Sequence, residues 1–150
     1  MRIFGHPVHP MLVHFPIAFW TTATLAYGWV AFGASELAMT LAKLSNGAGL
    51  LLAILAMLAG LLELRSIDNS GDAMSVAIWH MMVMATVWVC FLFAWLLSVS
   101  AVPAGFDPAT ARLGAAACAV AGFVLMAVGG WLGGRLVYEF GIGSRQSTNR

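Results

Sequence analysis

Four long uncharged stretches dominate the sequence, separated by three short polar ones: about Pro10 to Phe32, Ser45 to Leu64, Val76 to Val99 and Leu113 to Tyr138, each with at most one formal charge. A helix needs roughly 20 mostly apolar residues to cross the hydrocarbon of a bilayer, and every stretch meets that length. Helices satisfy their backbone hydrogen bonds within one segment and so suit a lipid interior. The pattern therefore predicts an all-α membrane protein with four transmembrane helices. The connectors hold Gly33, Ser35 and Glu36, then Asp68, Asn69, Gly71 and Asp72, then Pro103, Gly105, Asp107 and Pro108, residue types that make turns and start helices. Short links make successive helices antiparallel neighbours, which gives a single up-down-up-down bundle with no second domain.

With 61% hydrophobic and 9% charged residues and a mean hydropathy of +0.91, the chain carries more apolar surface than a water-soluble domain of its length can hide. Its net charge of +1 gives no basic surface for neutralising phosphates, which removes nucleic acid as a partner. Cys90 and Cys118 lie inside apolar stretches without metal-type spacing and read as small core residues. The first stretch follows a lone Arg2, is broken by His14 and Pro16, and is expected to be a retained anchor rather than a cleaved leader. Arg2, Arg65, Arg135, Arg145 and Arg150 fall on the side of the termini, with Lys43 and Arg112 opposite, so both termini are expected in the cytoplasm. Tyr27, Trp29 and Trp95 are expected at one interface and Trp79, Trp131 and Tyr138 at the other.

Side chains with chemistry are unevenly distributed in depth. The topology places His6, His9, His14, Glu63, Arg65, Asp68, Asp72, His80, Arg135, Tyr138 and Glu139 near the terminal face, and only Glu36, Lys43, Asp107 and Arg112 near the other. His14 and His80 enter the bilayer from the same face to similar depth, on helices expected to be diagonal and roughly 14 Å apart. Two neutral imidazoles at one level suit a haem b, one above and one below the macrocycle, with the propionates near Arg135 or Arg65. That arrangement predicts an electron-transfer protein, with a quinone or a peripheral redox protein as exchange partner and a quinol-linked oxidoreductase as the form any enzyme would take.

Two further readings remain open. A zinc or copper site built on His6, His9 and His14, with oxygen from Glu63 or Asp68, is one, although Pro7 and Pro10 favour an extended path for that segment. The other is a cofactor-free accessory subunit, docked in a homo-oligomer or a larger membrane complex through stripes of small residues: Ser45, Gly49, Ala53, Ala56 and Gly60, then Gly122, Gly129, Gly130, Gly133 and Gly134. Those stripes predict either close helix packing or a groove for a flat cofactor. Pro16 leaves the carbonyl of Leu12 without its helical donor and predicts a bend that aims His14 inward. Arg135 and Glu139 are spaced as an i, i+4 pair one turn beyond Trp131. No nucleophile and base set, phosphate loop, dinucleotide fingerprint or HExxH is present, nor any sign of inverted repeats of transporter size.

The run GHPVHPMLVHFPIAFW from Gly5 to Trp20, together with His80 and GGWLGGRLVYEFGIG from Gly129 to Gly143, resembles the bacterial membrane family catalogued as domain of unknown function 2231. The resemblance covers nearly the whole chain. It implies a four-helix domain of the bacterial cell membrane, in some members joined to a Rieske-type iron-sulfur module, which is redox company for the haem reading. Where some members carry His this chain has Phe140, so no metal site is expected at the end of the last helix.

Overall fold

Proline lacks the N–H that the carbonyl of Leu12 would accept, and the first helical segment divides just before Pro16. The short helix α1 (Val8–Leu12) ends at a turn on Val13, and α2 (His14–Phe32) begins after it. The break is shallow: Val13 N–H still reaches His9 O at 3.1 Å and Ile17 N–H reaches Val13 O at 3.3 Å. Ahead of them, β1 (Arg2–Ile3) and β2 (His6–Pro7) pair as a minimal antiparallel ribbon. In this computed structural model residues 2–3, 6–33, 35–65, 67, 71–99 and 107–142 are described.

Three long helices follow, α3 (Glu36–Leu64), α4 (Asp72–Val99) and α5 (Pro108–Tyr138). Each starts well ahead of the apolar stretch that announced it, because the capping residues lie in the polar connectors. Ser35 Oγ accepts from Ala38 N–H at 3.3 Å, and Asp107 Oδ2 from Thr110 N–H at 3.1 Å, with Pro108 in the first turn where no N–H is needed. These three helices are long and apolar enough to cross a membrane. Helix α2 carries three threonines, and Thr21, Thr22 and Thr24 each donate their hydroxyl to the carbonyl four residues earlier, at 2.7, 3.0 and 2.8 Å. A hydroxyl bonded in this way has its polarity satisfied within the helix.

Two helical hairpins form the molecule: α1 and α2 pack on α3, α4 packs on α5, and the hairpins join through α2 with α5 and α3 with α4. The contact faces are lined with small residues, including Ala42, Ala53, Ala94, Ala115 and Ala119, so backbones approach closely. Most large aliphatic side chains, such as Leu25, Leu44, Leu51 and Val124, point outward, the distribution expected when the surroundings are as apolar as the core. The largest fully buried side chains are Trp20, Tyr27, Phe91, Val87 and Asn46.

Candidate functional site

His9 lies in α1, in the turn before the break, and its ring rests on α3. Its Nδ1–H donates to the carbonyl of Ala56 at 2.7 Å, and a Cβ added to Gly60, one turn on, would come within 3.1 Å of the ring. His80 repeats the arrangement from α4 onto α5. Its Nδ1–H donates to Gly129 O at 2.9 Å, and a Cβ at Gly133 would lie 3.2 Å from its Cε1. A carbonyl can only accept, so both neutral rings carry their proton on Nδ1 and keep the Nε2 lone pair. The two half-buried imidazoles meet across the hairpins in a T-shaped, edge-type contact, with centroids 6.3 Å apart and planes 87° to one another.

Two further levels lie beyond this pair. Trp20 and Phe91 stack with centroids 4.6 Å apart and planes within 2°. Gly49 and Gly122 make room for them: a Cβ there would come within 2.6 Å of Trp20 and 2.9 Å of Phe91. Farther along, Tyr27 Oη and Ser98 Oγ are 3.0 Å apart, and Asn46 Nδ2 donates to Tyr27 Oη at 3.3 Å and to Phe91 O at 3.0 Å. Trp20 Nε1 and Asn46 Oδ1 are buried without a hydrogen-bond partner among the described residues. The glycine positions expected as close packing or as a groove for a flat cofactor thus hold the chain's own rings.

Three expectations change. His9 is helical rather than extended, because Pro10 falls in the first turn of α1, where its missing N–H costs nothing. The bend at Val13 carries His9 inward while His14 is exposed at the start of α2; five residues of helix turn a side chain about 140° past a full circle, so the two cannot share a face. Tyr27 is buried in the core rather than at an interface, since Asn46 and Ser98 satisfy its hydroxyl. His80 is placed beside a histidine as expected, but the ring that meets it is His9.

The remaining candidates surround the pair. Arg65 is exposed at the end of α3 and lines an open cleft of about 550 Å³ with Leu61, Leu64, Met74 and Ile78, two residues before His80. Arg135 is bound to Glu139, Nη2 to Oε2 at 2.9 Å, and lies 5.3 Å from the centre of the Trp131 ring. The guanidinium holds the Glu139 carboxyl below the usual carboxylate range. Glu63, half-buried, lies three residues beyond Gly60. The side chain of His6 and all of Asp68 lie outside the described residues. Among the described residues no three His, Cys, Asp or Glu side chains converge as a metal group.

Sequence reading missed Asn46 altogether, although a lone amide in an uncharged stretch is the kind of signal that marks a buried polar link. It also missed the pairing of rings with glycines on the facing helix, which needs the three-dimensional register. A helical domain with three helices long and apolar enough to cross a membrane, and with paired, backbone-anchored histidines, is what the arrangement defines. Residues 5–146 match the family described as a predicted membrane protein (DUF2231), and the chain belongs to that family. No curated protein and no solved structure matches it.

Proposed function

We propose that the chain is a four-helix integral protein of the bacterial cell membrane, up-down-up-down with both termini cytoplasmic, and that His9 and His80 together hold a redox-active metal. The observation that carries the reading is that both rings are anchored through Nδ1–H to main-chain carbonyls. A metal-bound histidine ordinarily has this support, which fixes its tautomer and raises the basicity of the ligating nitrogen. Intramembrane ionisable groups are costly and are commonly kept for function. Helix α2 supplies the fourth span because its threonine hydroxyls are internally satisfied.

Iron of a haem b and a bare copper ion are the forms such a metal takes; a zinc ion on the same nitrogens would carry no electrons. Electrons would pass one at a time to or from a quinol or a peripheral redox protein, and the apolar cleft beside Ile78, rimmed by Arg65, suits the approach of an apolar carrier. The test is metal analysis and a visible spectrum of detergent-purified protein. Bound metal that is lost in both His9→Ala and His80→Ala and kept in His14→Ala supports the reading. Wild-type protein that holds neither haem iron nor copper after expression with haem, copper and zinc supplied would remove it.

A further inference from the structure

The two hairpins place equivalent residues at each level. His9 and His80 are 71 positions apart, as are Trp20 and Phe91 and the hydrogen-bonded Tyr27 and Ser98. Ala23 and Ala94, fully buried, have the same spacing. On the facing helices a constant interval of 73 relates Gly49 to Gly122, Ala56 to Gly129 and Gly60 to Gly133, and relates Ala42 to Ala115, again both fully buried. At each of the three levels the ring or hydroxyl pair that meets across the hairpins, His9 with His80, Trp20 with Phe91 and Tyr27 with Ser98, joins a residue to its own counterpart. Contacts of that kind occur at a two-fold axis, here running along the helices between α2 and α4, the arrangement of parallel repeats in a membrane domain.

Symmetry constrains what the histidine end of such an axis can bind. Resting on the reading that a metal is held there, we infer that the site is a linear, two-nitrogen seat on the pseudo-two-fold axis for one copper(I) ion. A symmetric pair offers two equal ligands, and linear two-coordination is what a monovalent d10 ion accepts. Metal–nitrogen bonds of about 2.0 Å, with the depth of each ring added, put two imidazole centres about 6 Å apart across a linear ion, and the observed separation is 6.3 Å. Bending the ligands to a tetrahedral angle would draw the rings closer.

Zinc asks for four ligands and the hard cations for six or more oxygens, neither of which converges among the described residues. Imidazole suits copper and zinc alike, so the number of ligands, not their type, separates the two here. A single charge also costs less to bring among apolar helices than a double one. A porphyrin would need open space beside the imidazoles, and Gly60 and Gly133 flank them so closely that a Cβ at either would come within 3.1 and 3.2 Å of a ring.

The experiment is an anaerobic titration of the full chain in detergent with copper(I), in competition with a coloured copper(I) chelator, followed by X-ray absorption at the copper edge. The variants are His9→Asn and His80→Asn, in which the amide N–H replaces Nδ1–H on the carbonyl and only Nε2 is lost, so that folding is preserved. The expected results are one copper per chain, two nitrogen neighbours, no displacement by equimolar zinc, and a loss of affinity of at least tenfold in each variant, equal within about threefold. Copper held by three or four protein ligands, zinc preferred over copper, or one variant binding as wild type would overturn the inference while leaving a histidine-held metal in place. A haem spectrum lost in both variants would do the same. Absence of all metal would overturn both.

Discussion

The two hairpins reach the same three contacts by different chemistry. In the first, the helix that carries the rings is broken at Val13 ahead of Pro16; in the second, α4 runs unbroken through Val87, the counterpart of Pro16. The third level pairs a large hydroxyl, Tyr27, with a small one, Ser98, and the first hairpin adds Asn46 where the second has Ala119. What both keep is an aromatic ring facing the other hairpin and a glycine behind it. The shared part therefore fixes ring placement, while backbone continuity and polar filling are free to vary. Asn46 also reaches across to Phe91 O, and Trp88 Nε1–H reaches back to Leu50 O at 3.2 Å, so the unequal parts cross-link the halves.

The sharpest way to break this comparison is to exchange the unequal backbone. Val87→Pro removes a helical N–H from the middle of α4 and should cost about 3 kcal/mol or more, whereas Pro16→Val should cost far less; thermal unfolding in detergent reads both. Equal tolerance of the two changes would mean that proline does not set the break in the first hairpin. Filling the notches comes next. Gly49→Val and Gly122→Val should each cost about 1–3 kcal/mol by overpacking, Gly49 the more because its neighbour is nearer. Gly130→Ala, which meets nothing within 4 Å, should instead gain up to about 1 kcal/mol.

Asn46→Ala removes a buried donor from Tyr27 and from Phe91 O and should cost about 1–3 kcal/mol, while the same scan at Ala119 has no counterpart to lose. Retention of wild-type stability would show that the amide does not tie the hairpins. The smallest effect is at the cap of α5. The N–H groups of Thr110 and Ala109 hold the Asp107 carboxyl below its usual range. Its contribution is therefore complete above the ordinary carboxylate range and is lost as pH falls through the lowered value. Helicity of wild type should decline slightly more on acidification than that of Asp107→Asn, measured by circular dichroism.

Much of the fold was legible because membrane helices announce themselves by length: the C-terminal ends at Phe32, Leu64, Val99 and Tyr138 coincide with the ends of the apolar stretches. The starts were misjudged because Ser35 and Asp107 cap from within polar connectors. That a histidine pair gathers at one end followed from depth alone, and depth is readable from position in a span. Which histidines pair depends on the angle around the helix: the count of five residues separates His9 from His14, but which of the two faces inward is set by how α1 and α2 pack on α3. The repeat escaped notice because its identical letters, such as His9 and His80, Gly49 and Gly122, and Gly60 and Gly133, are sparse and fall at two different intervals, while Trp20 matches Phe91, Tyr27 matches Ser98, and Ala56 matches Gly129.

One consequence lies in the stacked rings of Trp20 and Phe91. They fill the middle of the molecule, each set against the backbone of a glycine on the neighbouring helix. If the imidazoles hold a metal as proposed, the stacked rings make the histidine end, and not the far end, the side from which that metal would be reached.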